Sequence, residues 1–95
     1  MAAYLVADID ITDPAQFEQY KKLAPAAIAK YGGRYLIRGG AYEAVEGDWR
    51  PPRLTVVEFD SMEKAKAFYH SPEYQHAIKA RAGAATMNML LVQGV

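Results

Sequence analysis

The segment that is most informative about the fold is Leu54-Thr55-Val56-Val57-Glu58-Phe59. Its β-branched and aromatic residues predict a strand. Side chains alternate between the two faces of a strand, so Thr55, Val57 and Phe59 would point at a helical layer. The opposite face would then carry Leu54, Val56 and Glu58, which is too apolar a set for a surface that meets water.

A strand and a helix precede this stretch. Ala3 to Ile11 alternates, with Leu5 on the predicted inner face. Asp13-Pro14-Ala15-Gln16 predicts a helix start, because it offers a capping carboxylate, a first-turn proline and a glutamine that could complete a capping box. Gly32-Gly33 predicts its end. Pro25 lies inside the predicted helix, where we expect a kink and not two separate helices.

Two further segments before Leu54 resemble strand, Arg34 to Arg38 and Tyr42 to Glu46. Gly39-Gly40 between them is consistent with a tight turn or with a bulge that bends one long strand, and we favour the bent strand. The polar, proline-containing residues 47–52 would form the hairpin loop.

The rest of the chain predicts a broken helical region and a last strand. Ser61 is a predicted helix cap, and Ser71-Pro72-Glu73 predicts a second cap and a restart. Gly83 ends this region, and Thr86 to Gln93 is a predicted buried closing strand. The order predicts a single α+β domain over residues 1–95, of ferredoxin-like type β-α-β-β-α-β with an antiparallel sheet.

The predicted sheet leaves one face without helices. Val56 would lie on that face beside Tyr4, Val6 and Asp8 of the first strand. Exposed apolar patches of this size mark interfaces, and a two-fold dimer is the commonest solution. We therefore expect a homodimer with its sheets face to face.

Composition excludes several classes of partner. Eleven basic residues balance eleven acidic ones, so there is no broad positive field for nucleic acid or an anionic membrane. The absence of cysteine excludes disulfides, thiolate zinc sites and cysteine nucleophiles. No apolar run approaches membrane-spanning length and no leader pattern precedes the first strand, so we expect a cytoplasmic protein.

Four segments, taken in order along the chain, resemble those of a known family. They are residues 31–40 (YGGRYLIRGG), 46–49 (EGDW), 58–61 (EFDS) and 71–75 (SPEYQ). Over essentially the whole chain the sequence resembles the family called domain of unknown function 1330. The resemblance implies the dimeric α+β barrel superfamily, whose relatives include cofactor-free monooxygenases, muconolactone-type isomerases and haem-handling enzymes.

Three charged residues on the predicted strands are candidates for chemistry: Asp8, Arg38 and Glu58. Burying charge is costly unless partners are found, so we expect the three side chains to meet. One interpretation is a site in which Arg38 holds an acidic substrate while Glu58 or Asp8 moves a proton. The alternative is a structural ion-pair network. The resemblance includes Arg38 and Glu58 among its motif residues.

Other candidates are weaker. Tyr4 could add a phenol to this site, and Trp49 with Arg53 could close it as a lid, although such residues often only pack. His70 and His76 would lie on different faces of a helix, so no metal site is predicted. No cofactor is expected, since neither histidine reaches the predicted barrel as an axial ligand.

Three functions remain open on the sequence. The first is a cofactor-independent isomerase, lyase or monooxygenase acting on a small acidic or aromatic metabolite. The second is a non-catalytic binding module that uses the same cavity, and the third is a structural homodimer. Whether the protein is an enzyme is therefore left open, since fold resemblance does not establish an activity.

Overall fold

The computed structural model of the protein describes residues 1–95 as four strands and three helices. The elements are β1 (Ala3–Ile11), α1 (Pro14–Lys30), β2 (Arg34–Arg38), β3 (Leu54–Phe59), α2 (Met62–Tyr69), α3 (Pro72–Ala80) and β4 (Ala85–Gln93). The strands form one antiparallel sheet in the order β2-β3-β1-β4, which does not close on itself. The predicted α+β ferredoxin-like fold is confirmed. No helix combines the length and apolar character needed to cross a bilayer.

Side-chain caps start the three helices. The carboxylate of Asp13 accepts from the backbone N–H of Gln16 at 3.2 Å, and Ser61 and Ser71 cap α2 and α3 in the same way. The capping box predicted for α1 is wrong. The Gln16 amide instead donates to the carbonyl of Ala82 at 2.7 Å, so it ties α1 to the turn after α3. α1 runs through Pro25 as one helix.

The core lies between the helices and one face of the sheet. On that face Leu5 is paired with Val57, and Ala3 with Phe59, and all four are buried. Phe59 packs on Phe68 of α2 with ring centroids 5.1 Å apart. We call the other side, which no helix covers, the open face.

A bulge in β2 changes which of its side chains reach the helix side. Arg34 is opposite Glu58 and Tyr35 is opposite Val57, but the next pair joins Ile37 to Val56. Leu36 is the extra residue, and it shifts the alternation by one. Arg38, opposite Thr55, is therefore on the helix side, whereas Arg34 is on the open face.

The prediction of strand at Tyr42–Glu46 is wrong, and with it the long bent strand. Residues 39–53 form an irregular connection between β2 and β3. Gly39 has φ 67° and donates to the carbonyl of Leu54, so the β2–β3 ladder ends there. Because β3 begins at Leu54, residues 42–46 have no strand to pair with. Tyr42 instead donates its hydroxyl hydrogen to the carbonyl of Pro51 at 2.8 Å.

β4 is an edge strand whose side chains stay partly or largely exposed, so the prediction of a buried closing strand is wrong for the single chain. Its only neighbour is β1, and nothing covers its outer side. Leu90, at 64% exposure, ends a row of apolar side chains that crosses the open face. In sheet order the row is Ile37, Val56, Val6 and Leu90.

Candidate functional site

A cavity of about 50 Å³ lies between α1 and the helix side of the sheet. Its walls are mostly apolar and include Leu5, Ala7, Phe17, Ala24, Ile28 and Val57. One water needs roughly 10–15 Å³ measured in this way, so the enclosed part has room for a few atoms. We call this space the α1 cavity.

Three cations line the more exposed part of the α1 cavity: Lys21, Arg38 and Arg53. Lys21 has a partner in Glu18, at 3.3 Å. Neither arginine takes part in any of the structure's four ion pairs. No carboxylate or histidine lines the cavity, so its mouth carries uncompensated positive charge.

Tyr35 lies beside the two arginines and supports the position of Arg38. The Arg38 guanidinium stacks over the Tyr35 ring, 4.5 Å from its centroid. Such stacking fixes the plane of a guanidinium while leaving its N–H groups free to bind a ligand. Burial raises the pKa of the Tyr35 phenol, so this group is neutral at physiological pH.

A pair of tyrosines forms the inner wall of the α1 cavity. Tyr20 of α1 and Tyr74 of α3 bring their hydroxyl oxygens to 2.6 Å, and both side chains are buried. The Tyr74 hydroxyl also lies 3.7 Å from the Met89 sulfur. Burial is the main cause that raises the pKa of both phenols, so both keep their protons at physiological pH.

A separate polar group lies on the open face. Glu58 forms an ion pair with Arg34 and is paired across the sheet with Tyr4. Hydrogen bonding to the Glu58 carboxylate raises the pKa of the Tyr4 phenol. Glu58 is thus balanced by Arg34, and its predicted partner Arg38 lies on the other side of the sheet.

Asp8 and Trp49 form a second contact on the open face. The indole N–H of Trp49 donates to Asp8 Oδ2 at 2.9 Å. This bond holds the irregular connection 39–53 against β1, although the Trp49 side chain remains 58% exposed. Trp49 therefore contacts a predicted site residue, but it does not line the α1 cavity.

The predicted meeting of Asp8, Arg38 and Glu58 is wrong. Asp8 and Glu58 are on the open face and Arg38 is on the helix side, because the bulge at Leu36 reverses its direction. Of the predicted site residues, the structure brings together Arg38 with Arg53 in the α1 cavity. On the open face it brings together Tyr4 with Glu58 and Asp8 with Trp49.

Sequence reasoning missed the tyrosines as site residues. Tyr20 lies within the first predicted helix and Tyr74 within a family motif, and neither was a predicted site residue. Their spacing of 54 residues gives no local signal that the hydroxyls meet. The two histidines, His70 and His76, are exposed, and no group of three or more His, Asp or Glu side chains is placed to hold a metal.

The four-stranded sheet and the helices that cover one of its faces define an α+β protein of ferredoxin-like type. Residues 2–95 match the model of the family described as a domain of unknown function, DUF1330, and the chain belongs to that family. A comparison with curated proteins finds no match.

Solved structures share the fold at low identity. A protein of unknown function from Rhodopseudomonas palustris superposes with a TM-score of 0.74 at 15% identity, over 99% of this chain and 82% of that one. SnoaB, a cofactor-independent oxygenase from Streptomyces nogalater, gives 0.67 at 14% identity, over 99% and 93%. A dimeric protein of unknown function from Bacteroides fragilis, with a ferredoxin-like fold, gives 0.62 at 16% identity, over 98% and 96%.

Proposed function

We propose that the protein binds a small organic anion with an apolar body in the α1 cavity. The observation that carries this proposal is the pair of arginines, Arg38 and Arg53, which lines a mostly apolar cavity without a carboxylate partner. Arginine binds carboxylates through paired N–H donors, and such charged hydrogen bonds are stronger than neutral ones. The negative group of the ligand lies between the arginines and its apolar part extends inward.

The size of the α1 cavity limits the ligand. The enclosed space of about 50 Å³ is well below the roughly 300–1,000 Å³ of a pocket for a drug-sized molecule. The side chains of Lys21 and Arg38 at the mouth are exposed. The ligand is therefore a short-chain or single-ring acid that remains partly in the open mouth.

Calorimetric titration of the full chain with linear carboxylic acids of increasing length tests this function. Losing charged hydrogen bonds costs about 1.5–3 kcal/mol, so Arg38→Ala or Arg53→Ala should weaken binding about ten- to a hundredfold. Lys22→Ala is the matched control, since Lys22 is an exposed cation next to Lys21 that does not line the cavity. The proposal fails if no acid binds, or if both arginine variants bind as tightly as the control.

The chemistry of the α1 cavity favours binding over proton transfer. Its titratable groups are the three cations and three phenols, and each phenol has a raised pKa. None of these is a general base near neutral pH. Isomerase, lyase or monooxygenase activity stays a prediction from the family resemblance.

Catalytic roles for Glu58 and Asp8 also stay predictions, as do ligand contacts by Tyr4 and Trp49. All four are on or against the open face, so a substrate that meets them would bind on the opposite side of the sheet from Arg38. Such a substrate would occupy the space between two copies of the chain. A cytoplasmic location likewise stays a prediction from composition.

We also propose that the open face is covered by a second copy of the chain. The apolar row of Ile37, Val56, Val6 and Leu90 supports this, because a two-fold partner places an equal row against it. The relative from Bacteroides fragilis is described as dimeric. Val56→Glu places a charge in the middle of the row and should give a monomer at micromolar concentration by sedimentation. Ala26→Glu, on the exposed side of α1, should leave the mass of a dimer. A monomeric wild type would refute the proposal.

A further inference from the structure

We propose that the Tyr20–Tyr74 hydroxyl pair is a second polar subsite of the α1 cavity, which donates a hydrogen bond to an oxygen at the far end of the bound anion. This inference rests on the proposed binding function and narrows the ligand to an acid with two polar ends. One end is the negative group between the arginines, and the other is a hydroxyl or carbonyl oxygen.

The Tyr20–Tyr74 pair has more hydroxyl hydrogens than strong acceptors. The two phenols hold two hydroxyl hydrogens, and the 2.6 Å contact between Tyr20 and Tyr74 uses one of them. If Tyr20 is the donor within the pair, the Tyr74 hydrogen has only the Met89 sulfur as an acceptor, 3.7 Å from the Tyr74 oxygen. If Tyr74 is the donor, the Tyr20 hydrogen has no protein acceptor. A thioether is a weak acceptor. One buried donor in the cavity wall therefore lacks a strong partner.

The position of this donor points to a ligand. Tyr20, Tyr74 and Met89 all line the α1 cavity, and Tyr74 is only 1% exposed. Buried hydroxyl groups normally find a strong hydrogen-bond partner. A ligand oxygen that displaces Met89 as the acceptor gives the pair that partner without moving the backbone.

The surrounding charges make the subsite a donor. Burial raises the pKa of both phenols, and the guanidinium of Arg81 lies 5.3 Å from the centroid of the Tyr20 ring. No carboxylate lines the cavity. The subsite therefore selects an acceptor, and it disfavours a ligand whose far end carries only donors, such as an ammonium group.

The two ends of the α1 cavity differ in solvent access. Arg38 and Lys21 are exposed, whereas the tyrosine pair is buried. A charged group gains most at the mouth, where it stays partly hydrated, and a neutral oxygen pays less for entering the interior. The ligand is thus oriented with its charge outward and its neutral oxygen inward.

Paired titrations of the full-length protein test this orientation. Each linear carboxylic acid is compared with its counterpart that carries a terminal hydroxyl group. A neutral hydrogen bond should make the hydroxy acid bind about two- to tenfold tighter at the chain length that spans the cavity. The preference should disappear in the double variant Tyr20→Phe/Tyr74→Phe, which removes both hydroxyl hydrogens, whereas either single variant still leaves one donor in the cavity wall.

Tyr42→Phe is the control, since it removes a phenolic hydroxyl that lies outside the cavity. A second readout is the methyl NMR signal of Met89, which should shift more with the hydroxy acid than with the plain acid. Equal affinity for the two acids at every chain length overturns the subsite but leaves the proposed function standing. A preference that persists in the double phenylalanine variant also overturns it. If no acid binds at all, the subsite and the proposed function fail together.

Discussion

Gly33, the residue before β2, should not tolerate even a methyl group. A Cβ atom at this position would lie 2.7 Å from Phe59 Cε1 and 2.8 Å from Ile28 Cγ2, where about 3.5–4.0 Å is the favourable separation. Both side chains are buried, so neither can swing into water. Overpacking of this kind costs about 1–3 kcal/mol, and the reduced entropy of the unfolded chain returns roughly 0.4–1 kcal/mol.

Taking the middle of both ranges, the expected net loss for Gly33→Ala is about 1.3 kcal/mol, or a fall in Tm of about 5–10 °C for a domain of this size. Gly40→Ala is the control, because a Cβ there would have nothing within 4 Å. Thermal melts followed by circular dichroism would measure both. Adding Phe59→Leu to Gly33→Ala should cost less than the sum of the two single changes, since the leucine vacates the space of the ring. A Gly33→Ala protein that melts with the wild type would refute the steric argument.

Three further predictions concern polar contacts. Ser71→Ala should cost about 1–2 kcal/mol in denaturant unfolding, because the hydroxyl of this 4% exposed cap both accepts and donates a hydrogen bond. Hydrogen bonding from Lys30 lowers the pKa of Glu73 from 4.5 to about 2. The ionised Glu73 side chain therefore contributes fully to stability above pH 4.5, and this contribution is lost as pH falls towards 2. The stability difference between wild type and Glu73→Gln should shrink over that window, and a constant difference would contradict it. Trp49→Phe removes the donor to Asp8 and should speed amide hydrogen exchange in residues 39–53, with β1 unaffected.

The sequence was sufficient for elements whose signals are local. The helix starts were predicted from the caps Asp13, Ser61 and Ser71, and the first strand from the alternation of Ala3–Ile11. Both signals depend on neighbouring residues alone. Tyr42–Glu46 has strand-like residues but no partner, since the ladder had already ended at Gly39. Strand propensity does not supply a pairing strand.

The candidate site was harder to predict because it depends on register and on distant contacts. Strict alternation from Arg34 puts Arg38 on the same face as Glu58. The bulge residue is a leucine, and a leucine gives no sequence signal for a bulge as a glycine or proline would. The Tyr20–Tyr74 pair joins two helices that only the folded core brings together. Both features are set by packing across the sheet, which no short window of sequence contains.

The bulge at Leu36 also makes the charge of the α1 cavity depend on a count of residues. Along β3, odd-numbered positions such as Thr55 face the cavity and even-numbered positions such as Val56 face the open side, so the two surfaces can be altered independently. β2 breaks this parity after Leu36. If Leu36 instead paired with Val56 in a regular ladder, strict alternation would return and Arg38 would turn out of the cavity, although the arginine itself would still be present. A backbone irregularity without any functional group of its own thus decides which surface of the protein receives a positive charge.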